Sequence, residues 1–268
     1  MIYKFCTATD TGRIRANNED AVAFDPRVGL AVLADGMGGY NAGEVASSMA
    51  TSHIADDLGR WLAAAGGVAA RGDVRRALEI CVDNANASIF KAAQANANYA
   101  GMGTTLVVGV FRDDWLLLGH IGDSRCYRWR RGELTQLTRD HSLLQEQIDA
   151  GLLTPQQAAV SVNKNLVTRA LGVESAVALE VTEHRVETGD LYLFCSDGLS
   201  DMVSDAMTAG LLAQPASLAQ QADRLVAAAN AQGGRDNITV LLAQASEVQP
   251  VAGGQADRGG NDKSDIVG

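Results

Sequence analysis

The sequence is poor in cysteine, in basic charge and in long apolar runs. Its four cysteines are far apart in 268 residues and form no CxxC pair, which argues against a zinc site or a disulfide framework. No uninterrupted apolar run approaches the ~18 residues of a membrane span. With 22 Lys and Arg against 32 Asp and Glu, the net charge of −10 disfavours binding to nucleic acid or to an anionic membrane. We therefore expect a cytoplasmic protein with reduced thiols.

The sequence does contain enough apolar residues for a core, since they make up 47% of the chain. Helical spacing predicts helices over Val45–Leu62 and Val74–Ile89, and further helices are predicted over Ser142–Ala150 and Ser217–Asn230. Turns are predicted at 25–29, 112–114 and 131–132. Strands joined by such short turns are antiparallel, so we predict an α+β domain in which helices cap two antiparallel sheets. Short apolar runs predict the strands as 21–24, 30–34, 104–111, 115–121, 191–195 and 238–243.

The composition changes near the C-terminus of the chain. From about Gln249 the sequence is rich in glycine and polar residues, and such a segment buries too little apolar surface to offset the entropy of ordering. We therefore predict a single folded domain over residues 1–246 and a disordered tail over residues 247–268.

Four carboxylates lie where predicted strands begin or end. Asp35, Asp123 and Asp197 each follow an apolar strand, and Asp236 precedes one. A single Asp-Gly is typical of a turn. If all four converge, however, their repulsion must be relieved by protons or by cations. An oxygen-only set of ligands without a nearby Cys or His pair favours Mg²⁺ or Mn²⁺ over Zn²⁺.

A guanidinium and two further acids occur upstream, in Arg15 and Asn18-Glu19-Asp20. A guanidinium can bind two phosphate oxygens at once. Divalent cations generate hydroxide near neutral pH and neutralise negative charge on a phosphate. The combination of acids and one arginine therefore favours hydrolysis of a phosphate ester.

Six short motifs make the sequence recognisable. In chain order they are Arg15-x-x-Asn18-Glu19-Asp20, Ala34-Asp35-Gly36-Met37-Gly38-Gly39, Gly103-Thr104-Thr105, Gly122-Asp123-Ser124-Arg125, Ser196-Asp197-Gly198-Leu199 and Gly234-Arg235-Asp236-Asn237-Ile238-Thr239. Over residues 3 to 243 the sequence resembles the metal-dependent protein phosphatases, the type 2C serine/threonine family, and its bacterial branch in particular. The resemblance implies a four-layer α-β-β-α sandwich and a monomeric enzyme that removes phosphate from Ser and Thr, opposing a Ser/Thr kinase.

The resemblance also implies roles for the matching residues. Two Mn²⁺ or Mg²⁺ ions, with a weaker third, are the implied cofactors, and a metal-bridging water would attack phosphorus without a covalent phosphoenzyme. Arg15 would grip the phosphoryl group, and Asn237 would orient the loop of Asp236. The implied ligands of the first two cations are Asp35, which both would share, the Gly36 carbonyl, Asp197 and Asp236. Asp123 together with Asp197 would form the third site, and Glu19 and Asp20 would act mostly through bound waters.

The sequence departs from the family at the general acid. Many members carry a histidine in the Asp-Gly loop, where this chain has Met37 and Tyr40 at the two relevant positions. Met37 has no proton to donate, and the phenol of Tyr40 has an ordinary pKa of about 10. Either Tyr40 donates weakly or a metal-bound water protonates the leaving alkoxide. The resemblance further implies a flap over about residues 141–165, which would act as a lid that selects substrate and tunes the third metal. The alternative is that this segment is an ordinary helical excursion.

Two other functions use the same residues. A hydrolase of small phosphate esters or nucleotides would share every ligand with a protein phosphatase. An inactive, phosphatase-like binding module would be expected to lack a metal ligand, whereas Asp35, Asp197 and Asp236 are all present.

Overall fold

The structure is a computed structural model that describes residues 1–39, 42–154, 157 and 166–247. Within these residues the strands are β1 (Ile2–Asp10), β2 (Asp20–Asp25), β3 (Leu30–Met37), β4 (Gly103–Thr104), β5 (Leu106–Arg112), β6 (Trp115–Ile121), β7 (Arg125–Arg130), β8 (Glu133–Gln136), β9 (Glu180–Arg185), β10 (Leu191–Cys195) and β11 (Ile238–Ser246). The helices are α1 (Ala42–Ala65), α2 (Arg71–Ala95), α3 (Leu143–Asp149), α4 (Asp197–Ser200), α5 (Asp205–Leu212) and α6 (Leu218–Ala231), with 3₁₀ turns at Gly66–Val68 and Ala97–Tyr99.

The strands form two antiparallel sheets. One has the order β1-β11-β10-β7-β8, and the other has the order β2-β3-β5-β6-β9, with β4 paired to β3. Phe111, Tyr192 and Phe194 are among the buried side chains between the sheets, and their rings make edge contacts. This arrangement buries the inward-facing residues of both sheets in a common core.

Helices cover the outer face of each sheet. On the second sheet, Leu30 and Val32 of β3 belong to the same buried cluster as Ile54 of α1 and Leu78 of α2. On the first sheet, α5 and α6 contribute to a separate cluster with β10 and β11. The four-layer α-β-β-α prediction is therefore confirmed.

Most of the local predictions are confirmed. The turns at 25–29, 112–114 and 131–132 join β2 to β3, β5 to β6 and β7 to β8. The strand predicted over 104–111 is divided into β4 and β5, because Thr105 turns its backbone N–H to the Asp35 carbonyl, at 2.9 Å. Strands β1, β7 and β9 and helices α4 and α5 had no predicted range.

Part of the chain lies outside the described residues. This applies to residues 155–156 and 158–165 of the predicted flap, and to the predicted tail except Glu247. Among the described helices, none combines the length and the apolar character that crossing a membrane requires.

Candidate metal and phosphate site

Five aspartates converge at one end of the sandwich. Asp20 begins β2 and lies directly opposite Asp35 of β3 in the antiparallel register. Asp123 lies just after β6, Asp197 is the first residue of α4 after β10, and Asp236 lies just before β11. The electrostatic environment of Asp35 includes the other four. The two sheets thus bring together acids that are up to 216 residues apart, counted from Asp20 to Asp236.

This crowding shifts the protonation of the acids. Burial raises the pKa of Asp35 well above its usual value, and the charges of Asp20, Asp197, Asp123 and Asp236 raise it further. Burial, followed by repulsion from Asp123, raises the pKa of Asp197 in the same direction. Burial raises the pKa of Asp123 to about 6, with a further contribution from Asp140. The site therefore contains more negative charge than its surroundings can stabilise.

The residues present fit divalent cations. Asp20 is the clearest case, because its Oδ1 is buried and has no hydrogen-bond partner among the described residues, while its Oδ2 accepts a 2.8 Å hydrogen bond from Ser196 Oγ. A buried carboxylate oxygen without a partner is costly unless a cation or a proton satisfies it. Carboxylate oxygens are the ligands that Mg²⁺ and Mn²⁺ prefer. The donor set and its unmet oxygen both favour a hard cation here.

Gly36 lets the backbone segments around these acids pack closely. A Cβ at this position would lie 2.1 Å from the Gly43 carbonyl oxygen and 2.6 Å from that of Glu19. The Gly36 N–H donates to the same Glu19 carbonyl at 3.1 Å. Only a residue without a side chain fits between β2 and the start of α1, so the Asp-Gly sequence has a steric reason at this point.

Arg15 lies at the exposed rim of the acid cluster. Its Nη2 is 2.6 Å from Asp236 Oδ2, and its side chain is 50% exposed against 27% for Asp236. Nearby, burial raises the pKa of Glu19; the charge of Arg15 opposes this shift and that of Asp236 adds to it. The residue predicted to grip phosphate thus contacts a predicted cation ligand.

Asn237 links the two chain segments that carry Arg15 and Asp236. Its Oδ1 accepts from the Glu19 N–H at 2.8 Å, and its Nδ2 donates to the carbonyls of Thr11 and Asn17 at 3.0 and 2.8 Å. Its own N–H donates to Asp236 Oδ1 at 2.8 Å. These bonds fix the loop between β1 and β2 against the start of β11.

The arrangement of strands, helices and acids now has a clear counterpart among known families. The family described as "Protein phosphatase 2C" matches residues 13–243. This chain belongs to the protein phosphatase 2C family. The match spans each of the acids described above, from Glu19 to Asp236.

Curated relatives in this family are named as serine/threonine phosphatases. The "Serine/threonine protein phosphatase PstP" of Mycobacterium tuberculosis is 40% identical over 263 residues, which cover 95% of this chain but 48% of that protein. The "Serine/threonine phosphatase stp" of Listeria innocua is 36% identical over 244 residues, covering 90% of this chain and 95% of the relative. The chain thus spans about half the length of PstP and nearly all of the Listeria protein.

Solved structures agree with the fold. The crystal structure of M. tuberculosis PstP has a TM-score of 0.85 at 38% identity, covering 92% of this chain and all of that one. The PstP catalytic domain described as "in complex with 2 Manganese ions" has a TM-score of 0.80 at 38% identity, covering 92% and 99% of the two chains. Binding of two manganese ions is thus recorded for a relative with this fold.

Some residues of this phosphatase 2C site were not assigned roles from the sequence. Thr105 Oγ1 accepts from the Asp35 N–H at 2.9 Å and lies 2.7 Å from Ser124 Oγ, so it connects Asp35 to the loop of Asp123. Ser196 accepts from the Thr239 N–H at 3.0 Å while donating to Asp20. The available signal was the serine beside Asp123 and the serine beside Asp197, whereas the motif of Thr105 contains no acid. Tyr40 lies outside the described residues.

Proposed function

We propose that this chain is a metal-dependent protein serine/threonine phosphatase. The observation that carries the proposal is the convergence of five aspartates, with raised pKa values at Asp35, Asp123 and Asp197, beside a half-exposed arginine. The family membership and the names of its relatives support the same activity.

The proposed ligands are shared between two cations, with a weaker third. Asp35 would contact both of the first two, and the Gly36 carbonyl would contact one of them. When bound, such cations activate water for attack and neutralise charge on the phosphoryl oxygens. Manganese is supported by the PstP complex with two manganese ions, and Mg²⁺ has the same ligand preference. The remaining proposed ligands are Asp197 and Asp236, with Asp123 at the third cation and Glu19 and Asp20 contributing through water.

The chain's own residues bind and orient the substrate. Arg15 is exposed enough to exchange its contact with Asp236 for two phosphoryl oxygens, which would hold the ester in line for attack. Asn237 would hold Arg15 and Asp236 in fixed relative positions through its hydrogen bonds to both chain segments. The proton for the leaving serine or threonine oxygen would come from Tyr40 or from water, and both sources are retained.

The proposed partners are phosphoproteins, including a Ser/Thr kinase and its substrates, with the chain acting as a monomer. We place the activity in the cytoplasm. The four cysteines support this placement because all are free thiols, as a reducing compartment maintains them.

The deciding experiment is phosphate release from a phosphothreonine peptide with and without millimolar Mn²⁺. Asp236→Asn should abolish release. Asp25→Asn is a matched control, because Asp25 is 26% exposed and also pairs with an arginine, Arg27, at 2.7 Å. We expect Asp25→Asn to keep full activity.

Three other outcomes would contradict the proposal. Hydrolysis of a small ester without peptide hydrolysis would indicate a small-molecule phosphatase. Release that is independent of Mn²⁺ would exclude the metal assignment. Inactivity on both substrates in a folded protein that binds Mn²⁺ would indicate a binding module.

A further inference from the structure

The loop that carries Asp123 is held from behind by His141. The His141 backbone N–H donates to the Gly122 carbonyl at 2.9 Å, and the Gly122 N–H donates to His141 Nδ1 at 3.1 Å. Gly122 has a φ of +97°, a conformation that L side chains rarely adopt. Two reciprocal hydrogen bonds therefore fix the unusual backbone immediately before Asp123.

The preceding residue holds the other end of the same loop. Asp140 accepts from Arg125 Nε at 2.9 Å and from Arg125 Nη2 at 2.6 Å in a two-pronged ion pair. Bidentate pairs of this kind restrict geometry as well as adding energy. Consecutive residues, Asp140 and His141, thus hold the two ends of the four-residue loop from Gly122 to Arg125.

The partners of His141 determine where its proton lies. Because Nδ1 accepts from the Gly122 amide, the ring proton of the neutral side chain is on Nε2, which lies 3.2 Å from Glu180 Oε2. The ring stacks on His120, with centroids 4.7 Å apart, and Arg169 Nη1 lies 3.5 Å from Nε2. The side chain is 7% exposed. Its orientation is therefore fixed on all sides.

His120, His141 and Glu180 have the residue types of a metal site, with ligand atoms within 4.8 Å of one another. A cation on His141 Nε2 would move the ring proton of the neutral side chain to Nδ1, where it would face the Gly122 N–H. The two stacked rings are also nearly parallel, at 14°, so their in-plane lone pairs do not converge on one point. The geometry favours a positioning role over metal binding.

His141 also closes the base of the segment predicted as a flap. Its carbonyl accepts from the Thr168 N–H at 2.8 Å, and the Leu143 N–H donates to the Leu166 carbonyl at 2.9 Å. Ser142 and Val167 form an antiparallel bridge between these two bonds. The two described ends of the predicted flap segment are therefore paired at His141, the residue that also holds the Asp123 loop.

We propose that His141 is a positioning residue that sets Asp123 for the third, weaker cation and joins that site to the base of the flap segment. This inference rests on the proposed function, because it takes Asp123 as a cation ligand. Groups that orient metal ligands typically affect metal affinity by about 10-fold to 100-fold when removed. Removal of His141 should therefore weaken the binding of the weakest cation alone.

The test measures Mn²⁺ binding to the full chain by isothermal titration calorimetry. Asp123→Asn identifies the binding step that depends on Asp123. His141→Leu should weaken that step about 10-fold or more and leave the tighter steps within about twofold. His141→Asn should restore most of the affinity, because asparagine Oδ1 can accept from the Gly122 N–H in place of Nδ1. His184→Leu, at a half-buried histidine of β9 that contacts Thr182, should change nothing.

Each contrary outcome has its own meaning. Wild-type binding in His141→Leu, with the step lost in Asp123→Asn, would overturn the positioning role while leaving the proposed function intact. Loss of every step in both His141 variants would show a purely structural role and would also overturn it. If Asp123→Asn changes no step, the third site and this inference both fail, whereas the peptide assay still decides the phosphatase activity.

Discussion

Strand β10 has an aspartate beside each end, and the surroundings of the two shift their pKa values in opposite directions. Asp190, just before the strand, is 1% exposed and accepts from Arg130 Nε and Nη2 at 2.7 and 2.6 Å. Burial is the largest single influence and raises its pKa, but the hydrogen bonds from Arg130, the Glu187 N–H and Tyr192, together with the charge of Arg130, lower it overall. Asp197, just after the strand, has a pKa raised well above its usual value by burial and by neighbouring acids, Asp123 first.

The difference separates stability from function along one strand. At the Asp190 end, the protein supplies the countercharge itself, so the buried acid contributes to a fixed structure. At the Asp197 end, Arg125 is already bound to Asp140 and Arg15 is half exposed, so the acids are left to bind something else. Sites with unbalanced buried charge are frequently functional.

The largest expected effect comes from neutralising an acid at each end. Asp190→Asn should lower the free energy of unfolding by roughly 3 kcal/mol, because it removes the buried, two-pronged partner of the largely buried Arg130 and leaves it paired with the more exposed Glu187. Asp35→Asn should raise the free energy of unfolding of the metal-free protein, because it removes repulsion from four neighbouring aspartates. Urea unfolding in the presence of a chelator measures both changes.

The opposite signs are the decisive feature of this pair. If both variants lose stability by similar amounts, Asp35 is balanced within the protein and the comparison between the two ends is wrong. In the presence of Mn²⁺, Asp35→Asn should instead be less stable than the wild type, since the wild type gains stability from the cation and the variant does not.

Removal of Arg15 should have the next largest effect, on catalysis. We expect Arg15→Ala to reduce kcat/KM for a phosphopeptide roughly 50-fold, because a charged donor to the phosphoryl oxygens is lost. The Mn²⁺ requirement should not rise, since the variant frees Asp236 from its ion pair. Steady-state kinetics at several Mn²⁺ concentrations test both points.

Two further variants define the role of Arg15. Arg15→Lys should recover part of the activity, because lysine keeps the charge but not the two-pronged geometry. Arg27→Ala, which breaks a comparable ion pair with Asp25, should leave kcat/KM unchanged. A higher Mn²⁺ requirement in Arg15→Ala would instead show that Arg15 supports the cation site.

Between pH 5 and pH 7, the pH dependence of stability should be determined by the acids of the site. Asp123 has a pKa of about 6 when folded, above its ordinary value of 3.8, so the folded protein binds more protons between these values and loses stability as pH rises through them. Lowering the pH from 7 to 5 should stabilise the metal-free protein by about 1.4 kcal/mol through Asp123 alone. The raised pKa values of Asp35 and Asp197 add to this gain.

The lowered pKa of Asp190 changes stability with pH in the opposite direction. Its lowered pKa gives stability that is present above the ordinary value of 3.8 and is lost as pH falls through the folded value. Metal-free stability should therefore rise as pH falls from 7 and peak near pH 4, close to the ordinary value of 3.8, below which the contribution of Asp190 is lost. A monotonic rise from pH 4 to pH 7 in unfolding experiments with a chelator would contradict the assignment of raised pKa values to the site.

How much of the structure can be predicted from the sequence depends on how far apart in the chain the interacting residues lie. The β2–β3 and β5–β6 hairpins follow from local turn residues, and α6 begins at Ser217 with a reciprocal capping box to Gln220. Strand β1 has no clean alternation of buried and exposed residues. It forms by pairing with β11, where Ile2 lies opposite Ser246. The residues of β1 alone do not indicate that β11 is the partner strand.

The same limit applies within the site. The acids were predictable because each lies at a strand end, where sheet geometry brings them together. The contacts of His141 were not, because its distance from Gly122 depends on how the chain returns after β8. In the structure, His120 Nε2 contacts the Arg139 carbonyl at 2.7 Å, while His141 binds Gly122.

The smallest expected effect tests whether burial is what matters at the Asp190 end. Arg131 is adjacent to Arg130 and also forms an ion pair there, at 2.7 Å from Glu187 Oε2, but its side chain is 81% exposed against 19% for Arg130. Exposed ion pairs typically contribute less than about 1 kcal/mol. Arg131→Ala should therefore lower the free energy of unfolding by about 0.5 kcal/mol, and 1 M salt should remove most of that difference. A loss of stability as large as that of Asp190→Asn would show that the ion pairs at this end act as one unit. A positive charge at the surface would then stabilise the fold as effectively as one beside the buried aspartate.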